Sequence, residues 1–176
     1  MSVRWICRCF HGHNVPHLVA IKETYQMAHK KLIYLSHIES FSKGTQIEKL
    51  RPFPEVPEAL ARLHTRYKLA VLSNGDPDML EAARPYHGIA FDRLISVAAA
   101  NSFKPHVATY TKAPELPGVR MDQVLFVANH AFDCIGAKSA GMHTAFIDRR
   151  QRPFGMTPHQ PDIVVRNMTE LADLMV

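Results

Sequence analysis

Short, uninterrupted apolar runs that alternate with helix-like segments constrain the fold of this chain more than any other feature. The runs are KLAVLS (68–73), RLISVA (93–98), QVLFVA (123–128), HTAFID (143–148) and DIVV (162–165). Continuous apolar strands are typical of a parallel sheet that is buried on both faces. The sequence therefore predicts an α/β fold, a Rossmann-like parallel sheet with helices on both of its faces.

Helix-like segments fill the intervals between these strands, and we predict helices over 57–67, 77–83, about 106–112, 131–140 and from about 169 onward. Another helical pattern, with apolar residues three and four apart, runs from Leu18 to Ile38. The character of the chain changes near Pro52. We therefore divide it into an atypical N-terminal segment, residues 1–47, and a core domain, residues 48–176.

Composition excludes several function classes. The chain has 176 residues, 47% of them apolar, and a formal charge of +5. No basic stripe is interleaved with aromatic residues, so nucleic acid is not an expected partner. No apolar run is long enough to span a membrane. Three cysteines, an odd and small number, favour the reducing cytoplasm, although the acid-poor opening leaves an organellar transit segment as an alternative.

Polar residues follow the predicted strands at the points where they end. Ser73 and Asn74 end the first long run, Lys104 lies on a nearby loop, and Asn129, His130 and Asp133 follow a later run. Because the carboxyl ends of parallel strands meet at one edge, we expect these side chains to converge on one cleft. A hydroxyl, an amide and an ammonium group there suit a small anionic substrate.

Three stretches of this core resemble the motifs of a known family. LSNG (72–75), SFKPHVATY (102–110) and FVANHAFDCIGAKSAG (126–141) are similar to the second, third and fourth motifs of the haloacid dehalogenase superfamily, closest to the type II (S)-2-haloacid dehalogenases. The resemblance covers about residues 48–176. It implies hydrolysis of the carbon–halide bond of short 2-haloalkanoic acids without metal or cofactor. Family members are commonly dimers, so the resemblance also implies a homodimer as one oligomeric state.

The resemblance also implies roles for individual residues. Ser73 would hold the substrate carboxylate and Asn74 would help on the halide side. Lys104 would keep the nucleophile ionised, Tyr110 would line the site, and Asp133 would position Lys104 and the hydrolytic water. Asn129 and His130 would contact the substrate, with Ala128 and His130 at places where many members carry Ser and Asn.

A magnesium-dependent phosphatase of the same superfamily is an alternative. Such an enzyme needs a second acid four or five residues before Asp133, because Mg²⁺ requires several hard oxygen ligands. This chain has Asn129 and Ala128 there. One carboxylate beside an imidazole is a poor magnesium site, so we expect no metal.

The front of the chain departs most from the family. Members begin with a central apolar strand that ends in the nucleophile, patterned Asp-x-x-Gly-Thr, whereas this chain has no Asp before Asp76. The nearest strand candidate is VRWICRCF (3–10), followed by His11. Either residues 3–10 fill the central place in the sheet, or the chain is the remnant of a longer protein with a reduced or truncated cap. A non-catalytic remnant that binds small carboxylates or a partner subunit is therefore a second hypothesis.

Three further features have competing interpretations. Cys7, Cys9, His11 and His13 could bind zinc, but their spacing matches no common zinc pattern. The apolar stripe from Leu18 to Ile38 is more often core than a partner-binding face. Cys134 at a helix start could be a reactive thiol, but burial among small residues is commoner.

Overall fold

The computed structural model describes residues 32–36, 52–84, 91–112 and 119–176. Its strands are β1 Leu32–Ser36, β2 Lys68–Ser73, β3 Arg93–Ser96, β4 Val124–Ala128, β5 His143–Ile147 and β6 Ile163–Val165. Its α-helices are α1 Val56–His64, α2 Pro77–Ala83, α3 Val107–Lys112, α4 Ala131–Ser139 and α5 Met168–Met175. Two short 3₁₀ helices cover Val97–Ala100 and Met121–Gln123. In the described residues no helix is long and apolar enough to cross a membrane.

The six strands form one sheet in the order β3-β2-β1-β4-β5-β6, and every neighbouring pair is parallel. The predicted α/β fold with a parallel sheet is confirmed. The predicted bounds differ from the observed ones by a few residues. Some apolar runs continue past the point where the chain turns and the strand ends. In the predicted strand 93–98, for example, the Ser96 hydroxyl accepts the Ala98 N–H and starts a 3₁₀ turn.

The central strand is the main correction. We predicted a helix from Leu18 to Ile38, but Leu32–Ser36 form β1, which lies between β2 and β4. The helix prediction is wrong over these five residues, because LIYLS pairs with a strand on each side. The suggestion that residues 3–10 take the central place is also wrong, since β1 occupies it. Residues 3–31 and 37–50 lie outside the described residues.

Helices cover both faces of the sheet, as predicted. On one face α1 and α5 pack against a cluster that includes Ile33, Leu69 and Leu125. On the other face α3 and α4 pack against a second cluster that includes Ala70 and Phe126. Consecutive residues such as Leu69 and Ala70 belong to opposite clusters because side chains alternate along a strand. The uninterrupted apolar runs thus supply both halves of the core.

Local signals fix where several helices begin. Pro77 is the first residue of α2, where its missing N–H would have had no helical partner. At α5 the side chain of Asn167 accepts the backbone N–H of Glu170 at 2.9 Å, which caps the helix. The division at residue 47/48 stays a prediction. However, β1 belongs to residues 1–47 and yet is part of the sheet whose other strands come from residues 48–176.

Candidate active site

The carboxyl edge of the sheet brings the predicted site residues together. All strand pairs are parallel, so β1, β2 and β4 end at the same edge. β2 ends at Ser73 and β4 at Ala128, while β1 ends between them at Ser36, whose Cα is opposite Leu72. The loops that follow these strands therefore surround one place on the molecule.

The centre of this place is a buried ion pair. The Lys104 ammonium lies 3.4 Å from Asp133 Oδ1 and 3.5 Å from Oδ2. The exposed fractions of the two side chains are only 5% and 2%. The same ammonium lies 5.8 Å from the centre of the Phe126 ring, whose π face attracts a cation. Lys104 is thus held from two directions, by charge and by an aromatic face.

Tyr110 makes a hydrogen bond to the Asp133 member of this ion pair. Its hydroxyl donates to Asp133 Oδ1 at 2.9 Å, and the residue is fully buried. Burial, together with the Asp133 charge, raises the pKa of the Tyr110 phenol far above its usual range, so the phenol stays protonated and remains a donor. Tyr110 is therefore linked to Lys104 through Asp133. We call Lys104, Asp133 and Tyr110 together the Lys–Asp–Tyr cluster.

A glycine makes room for the tyrosine. A Cβ built at Gly136 would lie 2.5 Å from Cε2 of Tyr110 and 2.8 Å from its hydroxyl oxygen. Gly136 follows Asp133 by three residues in α4, so both lie on the same side of the helix. The ring also meets Phe126 edge-on, with centroids 5.4 Å apart. The packing of α3 against α4 and β4 thus sets the direction of the hydroxyl.

The loop after β2 is tied to its surroundings at each residue. Gly75 N–H donates to the Ser73 hydroxyl at 3.0 Å, and the Gly75 carbonyl accepts from the Ser96 hydroxyl at 2.7 Å. The Asn74 side-chain oxygen accepts the backbone N–H of Lys104 at 3.0 Å. Ser73 is 1% exposed. This loop is therefore linked both to β3 and to the lysine of the Lys–Asp–Tyr cluster.

Asn129 and His130 form a second polar pair after β4. His130 Nδ1 lies 2.6 Å from the side-chain oxygen of Asn129. Because an amide oxygen only accepts, Nδ1 carries the hydrogen, and in the neutral ring Nε2 is the acceptor. His130 is the N-cap residue of α4 and its ring lies 5.4 Å from that of Phe132. Both side chains of the pair are partly buried.

The end of the central strand carries no carboxylate. None of the residues Leu32–Ser36 is acidic. In the family that the motifs resemble, the central strand ends in the nucleophilic Asp. The central strand β1 of this chain therefore lacks the carboxylate that family members have at its end. His11, which follows the strand candidate 3–10 at the place of the nucleophile, lies outside the described residues.

The structure also bears on two alternatives, a reactive thiol at Cys134 and a metal site. Cys134 is fully buried, and burial together with the Asp133 charge raises the pKa of its thiol to about 12, which does not favour a reactive thiolate. Within the four described ranges, no three His, Cys, Asp or Glu side chains come together as metal ligands. The suggested zinc ligands Cys7, Cys9, His11 and His13 lie outside those ranges.

A separate cavity of about 480 Å³ lies past the ends of β5 and β6. Arg149 there pairs with Glu55 at 2.6 Å and stacks on Phe53, 4.0 Å from the ring centre. The remaining lining residues are Arg166, Asn167 and Thr169. None of the predicted site residues lines this cavity, so it is distinct from the Lys–Asp–Tyr cluster.

Comparison with known proteins identifies the family. The profile of the family described as "Haloacid dehalogenase-like hydrolase" matches residues 9–147, most of the chain. The chain belongs to this family. This chain is 35% identical over 129 residues to an (S)-2-haloacid dehalogenase of Pseudomonas sp. (strain YL), covering 72% of this chain and 56% of the relative. It is 43% identical over 103 residues to an (S)-2-haloacid dehalogenase of Xanthobacter autotrophicus, covering 57% and 40%.

Solved structures agree with the sequence relatives. The L-2-haloacid dehalogenase of Xanthobacter autotrophicus with chloropropionic acid covalently bound superposes with a TM-score of 0.64 at 35% identity, covering 73% of this chain and 62% of that chain. The chain spans a little more than half the length of the (S)-2-haloacid dehalogenase of strain YL. The family resemblance drawn from the three motifs is confirmed.

All three residues of the Lys–Asp–Tyr cluster were predicted from the sequence, but the residues that support them were not. Lys104, Asp133 and Tyr110 come together, Asn74 and Ser73 lie on the loop tied to them, and Asn129 pairs with His130. Their catalytic and binding roles stay predictions. No role was predicted for Ser96, Gly75 and Gly136. The signal for Ser96 was present, because it ends β3 as Ser73 ends β2, and the two residues are opposite in register.

Proposed function

We propose that this family member hydrolyses the carbon–halide bond of short 2-haloalkanoic acids, giving a 2-hydroxy acid and halide. The observation that carries the proposal is the Lys–Asp–Tyr cluster, a buried ammonium with its counter-ion held at the carboxyl edge of the sheet. The names of the curated relatives, (S)-2-haloacid dehalogenases and a haloacetate dehalogenase, support this substrate class. These relatives do not favour the phosphatase alternative.

The β2 loop suits a carboxylate. A serine hydroxyl has one proton and two lone pairs. Gly75 N–H occupies one lone pair of Ser73, which leaves the proton to donate to a substrate carboxylate oxygen. Asn74 follows on the same loop. Its side-chain oxygen accepts the backbone N–H of Lys104, which leaves its amide nitrogen as a donor for the halide side. The positive charge of Lys104 adds attraction for an anionic substrate.

The groups after β4 suit the handling of water. In the proposed role Asp133 holds the lysine, and the Tyr110 bond to Oδ1 limits rotation of the carboxylate. Asn129 holds the His130 ring in the form with the Nδ1 hydrogen, so that Nε2 accepts a hydrogen bond from water. No metal or cofactor takes part in this proposal.

The carboxylate that attacks C2 in the resembling family has no counterpart among residues Leu32–Ser36. We therefore propose the net reaction and assign roles only to groups that the chain contains. Water supplies the oxygen that bonds to C2, the C2–halide bond breaks with its electron pair leaving on the halide, and one proton is released. A cytoplasmic location and a homodimer complete the proposal, the latter to be measured by light scattering.

The test is halide release from 2-chloropropionate by the purified chain. Lys104→Met should lower the rate by roughly 10²-fold or more, because it removes the buried positive charge of the site. Lys68→Met is the matched control, since Lys68 is 72% exposed and pairs with Asp92 at the other edge of the sheet. Lys68→Met should retain the wild-type rate.

Two outcomes would contradict the proposal. Equal rates in wild type and Lys104→Met would place the reaction outside the Lys–Asp–Tyr cluster. No release from a folded sample would mean that the chain lacks the activity, and the second hypothesis, a remnant that binds small carboxylates, would then predict weak carboxylate binding that is lost in Ser73→Ala.

A further inference from the structure

Ser96 is a buried serine one strand away from the proposed substrate contacts. It ends β3 and lies opposite Ser73 in the β2–β3 register, with only 9% of its surface exposed. Its hydroxyl donates to the Gly75 carbonyl at 2.7 Å and accepts the Ala98 N–H at 3.2 Å. Because a hydroxyl has a single proton, Ser96 has none left to donate to a substrate.

The Gly75 residue is thereby held at both of its backbone polar groups. Its N–H donates to the Ser73 hydroxyl at 3.0 Å, and its carbonyl accepts from Ser96. A hydrogen bond accepted by the Ser73 oxygen restricts the rotation of that side chain and hence the direction of its remaining O–H. The fixed orientation of Ser73 therefore depends on the fixed orientation of Gly75, which depends on Ser96.

We propose that Ser96 is a positioning residue for carboxylate binding, acting through Gly75 on Ser73. The inference rests on the proposed function, in which Ser73 donates to the substrate carboxylate. Without the Ser96 hydroxyl, the buried Gly75 carbonyl loses its partner and the loop turns to find another. The Ser73 hydroxyl then samples several directions, and part of the binding free energy is lost in ordering it.

The experiment measures the Kd of propionate by titration calorimetry. Propionate has the carboxylate of the proposed substrate and no halide to lose, so binding is separated from turnover. Ser96→Ala should weaken binding by about fivefold or more, the effect of one lost hydrogen bond. Ser96→Thr keeps the hydroxyl and should bind within about twofold of wild type. Ser139→Ala, at the far end of α4, is the matched serine control.

A second readout on the same variants is hydrogen exchange of the Gly75 amide, measured by NMR. In Ser96→Ala this amide should exchange faster relative to the amides of β2, a local change that a general loss of stability would not give. If Ser96→Ala does not fold, Ser96→Cys replaces it in both measurements, because a thiol is a weak donor of similar size.

The outcomes separate the two proposals. A Kd for Ser96→Ala within twofold of wild type, in a protein whose binding is lost in Ser73→Ala, overturns the inference and leaves the proposed function standing. No propionate binding by wild type counts against the proposed function and overturns the inference with it, because Ser96 then has no carboxylate binding to support. Where wild type binds propionate, exchange of the Gly75 amide is the second test of the inference. Unchanged exchange in Ser96→Ala overturns it.

Discussion

Gly136 shows how a residue without a side chain orients the charged groups of the site. The Tyr110 ring occupies the space that a Cβ at this position would need. Tyr110 in turn donates to Asp133, which pairs with Lys104. The orientation of a buried ion pair therefore depends on the absence of a methyl group one turn along the helix.

We expect Gly136→Ala to destabilise the protein by about 1–3 kcal/mol, the usual cost of overpacking, even though alanine is the better helix former by about 1 kcal/mol. Urea unfolding measures the change. In a Tyr110→Leu background the ring is gone, so there the same substitution should be neutral or stabilising. A loss of stability equal in both backgrounds would show that Gly136 is required for another reason.

At the scale of elements, Asp162 joins α4, β5 and β6. Its carboxylate pairs with Lys138 in the last turn of α4, accepts the Thr144 N–H at 2.7 Å and lies 3.7 Å from His143. Burial favours the neutral carboxyl, but the nearby His143 ring and the hydrogen bonds from Lys138 and Thr144 outweigh it and lower the pKa of Asp162 to about 2. Since α4 carries Asp133 at its other end, this contact holds the helix of the site in place.

The lowered pKa predicts a pH dependence of stability. The Asp162 carboxylate binds a proton less readily in the folded protein than in the unfolded chain, where the pKa of this group is near 3.8. The stabilisation is therefore fully present above about pH 4 and is lost as the pH falls toward 2. It amounts to about 2 kcal/mol. Asp162→Asn should lower the free energy of unfolding at pH 6 and remove that part of the acid dependence.

Urea unfolding at a series of pH values measures the effect. Asp173→Asn is the control, because Asp173 is 60% exposed and pairs with Arg62 on the surface. It should retain the wild-type acid dependence. If Asp162→Asn lost stability equally at pH 6 and pH 2, its contribution would come from packing rather than from its charge.

At the scale of the whole molecule, β1 joins two parts of the sheet. β2 and β3 lie on one side of it, and β4, β5 and β6 lie on the other. Ile33 is fully buried in the cluster under α1 and α5. Without β1 the facing edges of β2 and β4 lose their backbone partners, and unpaired buried N–H and C=O groups are costly.

We therefore expect residues 48–176 alone not to fold cooperatively, because the loss is large against a total stability of about 5–15 kcal/mol. Circular dichroism during urea unfolding, compared with the full chain, measures this. In the full chain Ile33→Ala should cost about 2–5 kcal/mol. A midpoint for residues 48–176 equal to that of the full chain would instead support the division at 47/48 and make β1 dispensable.

The fold was predictable where the pattern is local. Continuous apolar runs such as 68–73 and 123–128, which alternate with helix-like segments, are typical of parallel strands covered on both faces, and their ends indicate the edge where Lys104 and Asp133 meet. β1 was not predictable, because a short apolar stretch such as LIYLS fits a helical face as well as a strand. The choice is made by the backbone partners that β2 and β4 offer, which lie far away in sequence.

Sequence by itself determined the class of fold and the edge of the sheet where polar residues gather, since both follow from short-range pattern, and the resemblance of its motifs indicated the residues of the Lys–Asp–Tyr cluster. Only the tertiary structure decided which segment is central, that Gly136 admits Tyr110, and that Ser96 holds Gly75. The physical reason is that these depend on strand register and close packing. Both are set by contacts between residues distant along the chain, which no local pattern records.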